Sequence, residues 1–197
     1  MPVVLASASA ARAQLLERAG LDVRCDPAGV DEDEVKASFR AEGRDTVSCA
    51  TALAEAKAVR VSIRSPGALV IGADQMLVLG QRWFDKPRDL AEARQQLLAL
   101  RGQRHELVTA AAVAVNGAVI WHRLDRPALT MRGFSETFLD AYLAAAGDEV
   151  LAVVGCYRLE GLGAQLFERI DGDYFSILGL PLLPLLEFLR GHGVVQR

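Results

Sequence analysis

The sequence predicts a mixed α/β fold from three observations. Short apolar runs rich in β-branched residues alternate along the chain with segments of helical period. Two of the runs flank Asn116-Gly117, a dipeptide that accommodates the positive φ angles of a tight antiparallel hairpin. Apolar residues make up 51% of the 197 positions and charged ones 24%, enough to bury a core without a disulfide or metal staple. A single domain over residues 1–197 is expected, with no repeat, linker or low-complexity segment.

Val3 to Ala6 reads as a first strand, leading through Ser7-Ala8-Ser9 into a helix (Ala11, Leu15, Leu16, Ala19) that stops at Gly20. Leu21 to Cys25 resumes as a strand. The acidic run Asp31-Glu32-Asp33-Glu34 reads as a solvated loop before a helix over about Thr46 to Ile63, whose apolar stripe is Cys49, Ala52, Leu53, Ala56, Val59 and Ile63. Ala68 to Ile71 is a buried strand, interrupted by Gly72-Ala73-Asp74-Gln75 and continued by Met76 to Leu79. After Lys86-Pro87 a helix starts with Asp89 as cap and Glu92 three residues on, and Gly102 closes it. Val108 to Val115 and Ala118 to Trp121 pair as the hairpin. A helix follows Ser135, strands are expected around Val150 to Tyr157 and Ala164 to Ile170, and a last helix spans about Leu183 to Arg190.

With 22 basic and 25 acidic residues the net charge is −3, which gives no global footprint for a nucleic-acid polyanion. No nucleic-acid partner is expected. Cys25, Cys49 and Cys156 are odd in number, widely spaced and without a Cys-x-x-Cys, so neither a disulfide framework nor a zinc site is suggested and a reducing compartment fits. The first residues lack the basic n-region of a secretion signal, and the longest uncharged stretch, Leu107 to Trp121, is shorter than the roughly 20 residues a bilayer span requires. A soluble, cytoplasmic protein with no membrane partner is expected. Oligomeric state is not legible, and a homodimer stays open.

P-loop, dinucleotide, nucleophile-elbow and zincin motifs are all missing. The residues of interest are polar ones at structurally expensive places. Asp74 falls within an apolar run, where a carboxylate must be hydrogen-bonded, paired or metal-bound, or else satisfy backbone N–H groups at a turn. Ser7 and Ser9 lie between a strand and a helix start, with Arg12 one turn in; they suit a phosphate, or a plain N-cap. Lys57 and Lys86 read as solvated lysines or as phosphate partners, and Glu32 as loop surface or one of a carboxylate pair for magnesium. Glu160, just before Gly161, has no evident structural need.

Taken in order, LASASAAR, Asp31-Glu32, LAEAKA, IGADQ, DKP, LRGQRHELVT, GCYRLEGLGAQLF and IDGDYFSILGLPL resemble the Maf family of nucleoside triphosphate pyrophosphatases over nearly the whole chain. The resemblance implies an elongated, two-lobed α/β fold of the Maf/ITPase-like kind, a mixed sheet with flanking helices and a central cleft. It also implies Mg²⁺ or Mn²⁺ as cofactor and hydrolysis of a nucleoside triphosphate to monophosphate and pyrophosphate. Carried over by position, Ser7, Ser9 and Arg12 fall on its phosphate loop, Glu32 and Asp74 on its acidic metal site with Asp74 as proton acceptor, and Lys57 and Lys86 on its two lysines. The loop departs from the family at Ala10, usually proline, and at Ala11, a variable substrate-facing position often arginine or aromatic. Gln75 and Glu160 resemble the branch acting on 7-methyl-GTP, whereas the dTTP/UTP branch shows threonine and glutamine there. A dTTP/UTP pyrophosphatase, or a non-enzymatic nucleotide-binding cell-division regulator on the same fold, are the alternatives.

Overall fold

The structure is a computed structural model describing residues 1–196. In chain order the elements are β1 (Val3–Leu5), α1 (Ala10–Arg18), β2 (Val23–Cys25), α2 (Glu32–Ala41), α3 (Thr46–Arg64), β3 (Leu69–Leu79), β4 (Arg82–Phe84), α4 (Leu90–Leu100), β5 (Arg104–Val115), β6 (Ala118–Asp125), β7 (Ala128–Met131), α5 (Glu136–Ala146), β8 (Phe167–Asp171), α6 (Tyr174–Ile177) and α7 (Leu182–Gly191). The eight strands form a mixed sheet in the order β2-β1-β3-β5-β7-β8, with β4 on β3 and β6 on β5. The expected α/β class is what folds. Ser9, Asp31, Asp45, Asp89, Ser135 and Asp173 cap the helices they precede, each accepting a backbone N–H that the helix leaves without a partner.

The chain divides into two compact units. The first comprises Met1–Gln75, Thr109–Asp125 and the chain from Asp173. Here β1 runs parallel to β2 and β3, with Val3 opposite both Val23 and Leu69. Both faces of β1 are covered: Val3 and Leu5 join Leu16, Ile71, Ala73, Leu185 and Leu189, while Val4 and Ala6 join Val61 and Val70. A strand buried on both faces reads as a continuous apolar run instead of an alternating one. The β5–β6 hairpin closes at Asn116 (φ 47°) and Gly117 (φ 84°), as their identities required.

The second unit comprises Met76–Val108 and Arg126–Gly172. Its strands pair antiparallel, β4 on the end of β3 and β7 between β5 and β8. His105 and Tyr157 hydrogen-bond in its core at 2.8 Å beside Phe167.

Several sequence expectations are corrected. The acidic run is the first turn of α2, capped by Asp31, because carboxylates complement the positive end of a helix dipole. β3 is uninterrupted from Leu69 to Leu79, so Asp74 lies inside a strand and not at a turn. No strand forms over 150–157: Gly147–Ala152 and Val154–Cys156 are short 3-10 turns, and Gly155 and Cys156 both take positive φ, which no strand sustains. β8 begins only at Phe167, and the short elements β4, β7 and α6 carried too little periodicity to be seen. On α3 the buried face is Cys49, Ala50, Leu53, Ala54, Lys57, Ala58 and Val61, whereas Ile63 is exposed.

Candidate active site

β3 carries Asp74 into the interior, where it is 3% exposed. Gly72, two residues earlier on the same face of the strand, makes room for α3: a Cβ at Gly72 would overlap the Ala54 carbonyl oxygen and lie 2.6 Å from the Ala58 nitrogen. This close approach selects the alanine-rich face of α3, and Lys57 comes with it. Lys57 Nζ donates to Asp74 Oδ1 at 2.7 Å and to the Ala73 carbonyl at 3.4 Å, and lies 2.6 Å from Glu32 Oε1. Lys57 is therefore buried, contrary to the solvated reading, and its three N–H groups are all engaged.

Two carboxylates thus meet one ammonium. Glu32 reaches it from the first turn of α2, with a side chain 40% exposed. Asp74 Oδ2 is buried and accepts no hydrogen bond. A bare carboxylate oxygen out of water is costly by several kcal/mol, so this atom calls for a donor or a cation. The donor set fits a hard divalent ion such as Mg²⁺ or Mn²⁺, which takes one or two carboxylates and fills its shell with phosphate oxygens and water. Among the described residues no group of three or more His, Cys, Asp or Glu side chains could hold such an ion unaided.

The loop after β1 supplies the cationic side. Ser9 caps α1, accepting from the Arg12 backbone N–H, so the cap reading of this serine holds. Ser7 Oγ accepts from the Ser9 N–H and from Arg12 Nη1, each at 3.2 Å. Arg12 also donates from Nη1 to the Ala73 carbonyl at 3.0 Å and from Nε to the Gly179 carbonyl at 2.8 Å. Burial pushes the guanidinium pKa down from its ordinary value, and the attraction of Asp74 and Glu32 opposes that shift. Ala11, half-buried, adds no polar group. The first unit therefore brings Ser7, Ser9, Arg12, Glu32, Lys57 and Asp74 into one neighbourhood.

Gln75 follows Asp74 on the strand and so projects to the opposite face. Its Nε2 lies 2.9 Å from Thr109 Oγ1, 2.9 Å from the Ser176 carbonyl and 3.1 Å from the Ile177 carbonyl. Thr109, Ser176 and Gly72 were given no role by sequence reasoning, although they stand in the motifs LRGQRHELVT, IDGDYFSILGLPL and IGADQ; Gly72 carried the further signal of a glycine inside an apolar strand.

Residues 2–192 match the family described as Maf-like protein. The chain belongs to the Maf family. It is 57% identical over 192 residues to the nucleoside triphosphate pyrophosphatase of Granulibacter bethesdensis, covering 98% of each chain. It is 48% identical over 194 residues to the 7-methyl-GTP pyrophosphatase of Mesorhizobium japonicum, again covering 98% of each. In this Maf protein Lys86 and Glu160 belong to the second unit, where Lys86 is exposed in the segment between β4 and α4. Glu160 Oε1 accepts from Arg158 Nε at 3.0 Å, and Arg158 also pairs with Glu149 at 3.1 Å. These three side chains line a pocket of about 340 Å³ with Tyr142, Val150 and Gly161. No helix of the described residues is long and apolar enough to cross a membrane.

Proposed function

We propose that this Maf protein hydrolyses a nucleoside triphosphate to the monophosphate and pyrophosphate, with the Glu32–Lys57–Asp74 cluster as its reacting centre. The observation that carries the reading is Asp74, a buried carboxylate with one oxygen held by Lys57 and the other without a partner. A structural aspartate satisfies both oxygens, while a general base or metal ligand keeps one available. Asp74 Oδ2 takes a proton from a water as the water oxygen bonds to the α-phosphorus. The bond from that phosphorus to the α–β bridging oxygen breaks, and pyrophosphate leaves with the negative charge. Bound Mg²⁺ or Mn²⁺, held by Glu32 and Asp74, would supply neutralisation of the phosphate oxygens. Lys57 holds the two carboxylates in place through its N–H groups, Ser7, Ser9 and Arg12 hold phosphate oxygens, and the resemblance to the family gives Lys86 the part of its second lysine.

The proposed substrate is 7-methyl-GTP. Glu160, as an acceptor-only carboxylate, suits the N1–H and N2–H₂ edge of guanine, and methylation at N7 adds a positive charge that it attracts. The likeness to the 7-methyl-GTP pyrophosphatase of Mesorhizobium japonicum supports the same choice. Three cysteines without a disulfide support a cytoplasmic setting. Pyrophosphate release from a panel of canonical and modified triphosphates, with Mg²⁺ or Mn²⁺, tests the reading. The expected result is turnover with 7-methyl-GTP ahead of UTP and dTTP; preference for the pyrimidines would move the protein to the other branch, and nucleotide binding without turnover would make it a binding module.

A further inference from the structure

Three side chains from three elements converge on three carbonyl oxygens of one short turn, residues 176–179. Thr109 Oγ1 on β5 donates to the Ser176 carbonyl at 2.8 Å, Gln75 Nε2 on β3 donates towards the Ser176 and Ile177 carbonyls, and Arg12 Nε on α1 donates to the Gly179 carbonyl at 2.8 Å. Thr109 and Ser176 are fully buried. Because the single hydroxyl hydrogen of Thr109 goes to Ser176, Thr109 can only accept from Gln75. The Gln75 amide thus faces acceptors alone, and turning it over would set its carbonyl oxygen against two others that carry no proton. Its orientation is fixed by the network.

Gly179 has φ +103°, and a Cβ there would lie 3.1 Å from Arg12 Nε, so the turn is shaped around the guanidinium. Arg12 uses Nε on Gly179 and Nη1 on Ser7 and Ala73, which leaves the two N–H groups of Nη2 for a further acceptor. We infer that Thr109 and Gln75 are positioning residues that clamp the 176–179 turn and thereby aim the Arg12 guanidinium at a phosphate. This rests on the reading of Arg12 as a phosphate-binding residue. It gives Gln75 a part in substrate handling from the face of the sheet opposite Asp74, through Arg12.

The test uses the full chain, with Mg²⁺-tripolyphosphate as the calorimetric probe and the Arg12 Nε–H resonance as a second readout. Thr109→Val removes the hydroxyl at nearly constant shape and is expected to weaken tripolyphosphate binding about tenfold, the scale of one charge-assisted hydrogen bond, while Thr109→Ser stays close to wild type. In an Arg12→Lys background Thr109→Val should add nothing, because a residue acting through Arg12 has no route once the fork is gone. Equal weakening in both backgrounds would mark Thr109 as merely structural and overturn the inference, as would unchanged binding in Thr109→Val. If wild type fails to bind tripolyphosphate, the phosphate-site reading falls while the resonance still decides the clamp. A slowly exchanging Nε–H that is lost in Thr109→Val and kept in Thr109→Ser supports it; one that persists in Thr109→Val overturns it.

Discussion

Lys57 Nζ lies 2.7 Å from Asp74 Oδ1, one residue from α3 and the other from β3, and both side chains are almost wholly out of water. The pair leaves Asp74 Oδ2 as its one unengaged acceptor. Asp74→Asn keeps size and shape but cannot take a proton, so kcat is expected to fall by at least about a hundredfold with the fold intact. Steady-state kinetics with circular dichroism checks this, and near-wild-type kcat would remove Asp74 from the reaction.

Lys57→Met leaves Asp74 and Glu32 facing each other without the ammonium between them. Breaking a buried pair by removing one partner is destabilising by about 3 kcal/mol or more, although the partial exposure of Glu32 reduces its share. Urea denaturation at pH 7 should show that loss. In kinetics the variant is expected to lose kcat more than it raises KM, since the lysine orients groups that act in the transition state.

Gly72→Ala tests the geometry that brings α3 to β3. The added methyl has no room against the backbone of Ala54 and Ala58, so the helix must shift, at a cost of about 2 kcal/mol or more. Catalysis should fall with stability, because displacing α3 moves Lys57 from Asp74. A variant with wild-type melting temperature and rate would show that the contact is not tight.

The second unit predicts a pH dependence of stability. Burial lowers the His105 pKa from 6.5 to about 4. The unfolded chain therefore takes up this proton at higher pH than the folded one, so stability is intact above pH 6.5 and is lost as pH falls towards 4. Between pH 7 and pH 5 the loss assigned to His105 is about 2 kcal/mol. Denaturation curves of wild type and His105→Gln at both pH values measure it, and equal pH dependence in the two proteins would refute the assignment.

Glu160→Gln replaces an acceptor-only group by one with both a donor and an acceptor, which suits a uracil or thymine edge better. The ratio of kcat/KM for 7-methyl-GTP to that for UTP should shift towards UTP by roughly 1–3 kcal/mol. An unchanged ratio would show that Glu160 does not select the base.

Local chemistry made much of this protein legible from its residues. Caps at Ser9, Asp89 and Ser135, the Asn116-Gly117 hairpin and the apolar runs of β1 and β3 act over a few residues, so their signals stand in the chain itself. The motif order that resembles the Maf family likewise points to Glu32, Lys57 and Asp74 from the sequence alone. Their arrangement was not legible. Lys57, beside the apolar stripe of α3, read as a solvated lysine because water is the usual place of that residue; the helix instead buries it among alanines, since only small side chains allow the approach that Gly72 permits across the sheet. The β-branched run at 150–157 read as a strand, and Gly155 and Cys156 turn it into 3-10 structure where Gly155 packs beneath Leu77 and Tyr157. Thr109 closes the LRGQRHELVT motif, yet its role carried no local signal, because its partners Gln75 and Ser176 are 34 and 67 residues away. Propensity and capping are properties of neighbours along the chain, whereas the burial of a charge and the partner of a hydroxyl depend on which distant segments pack against them.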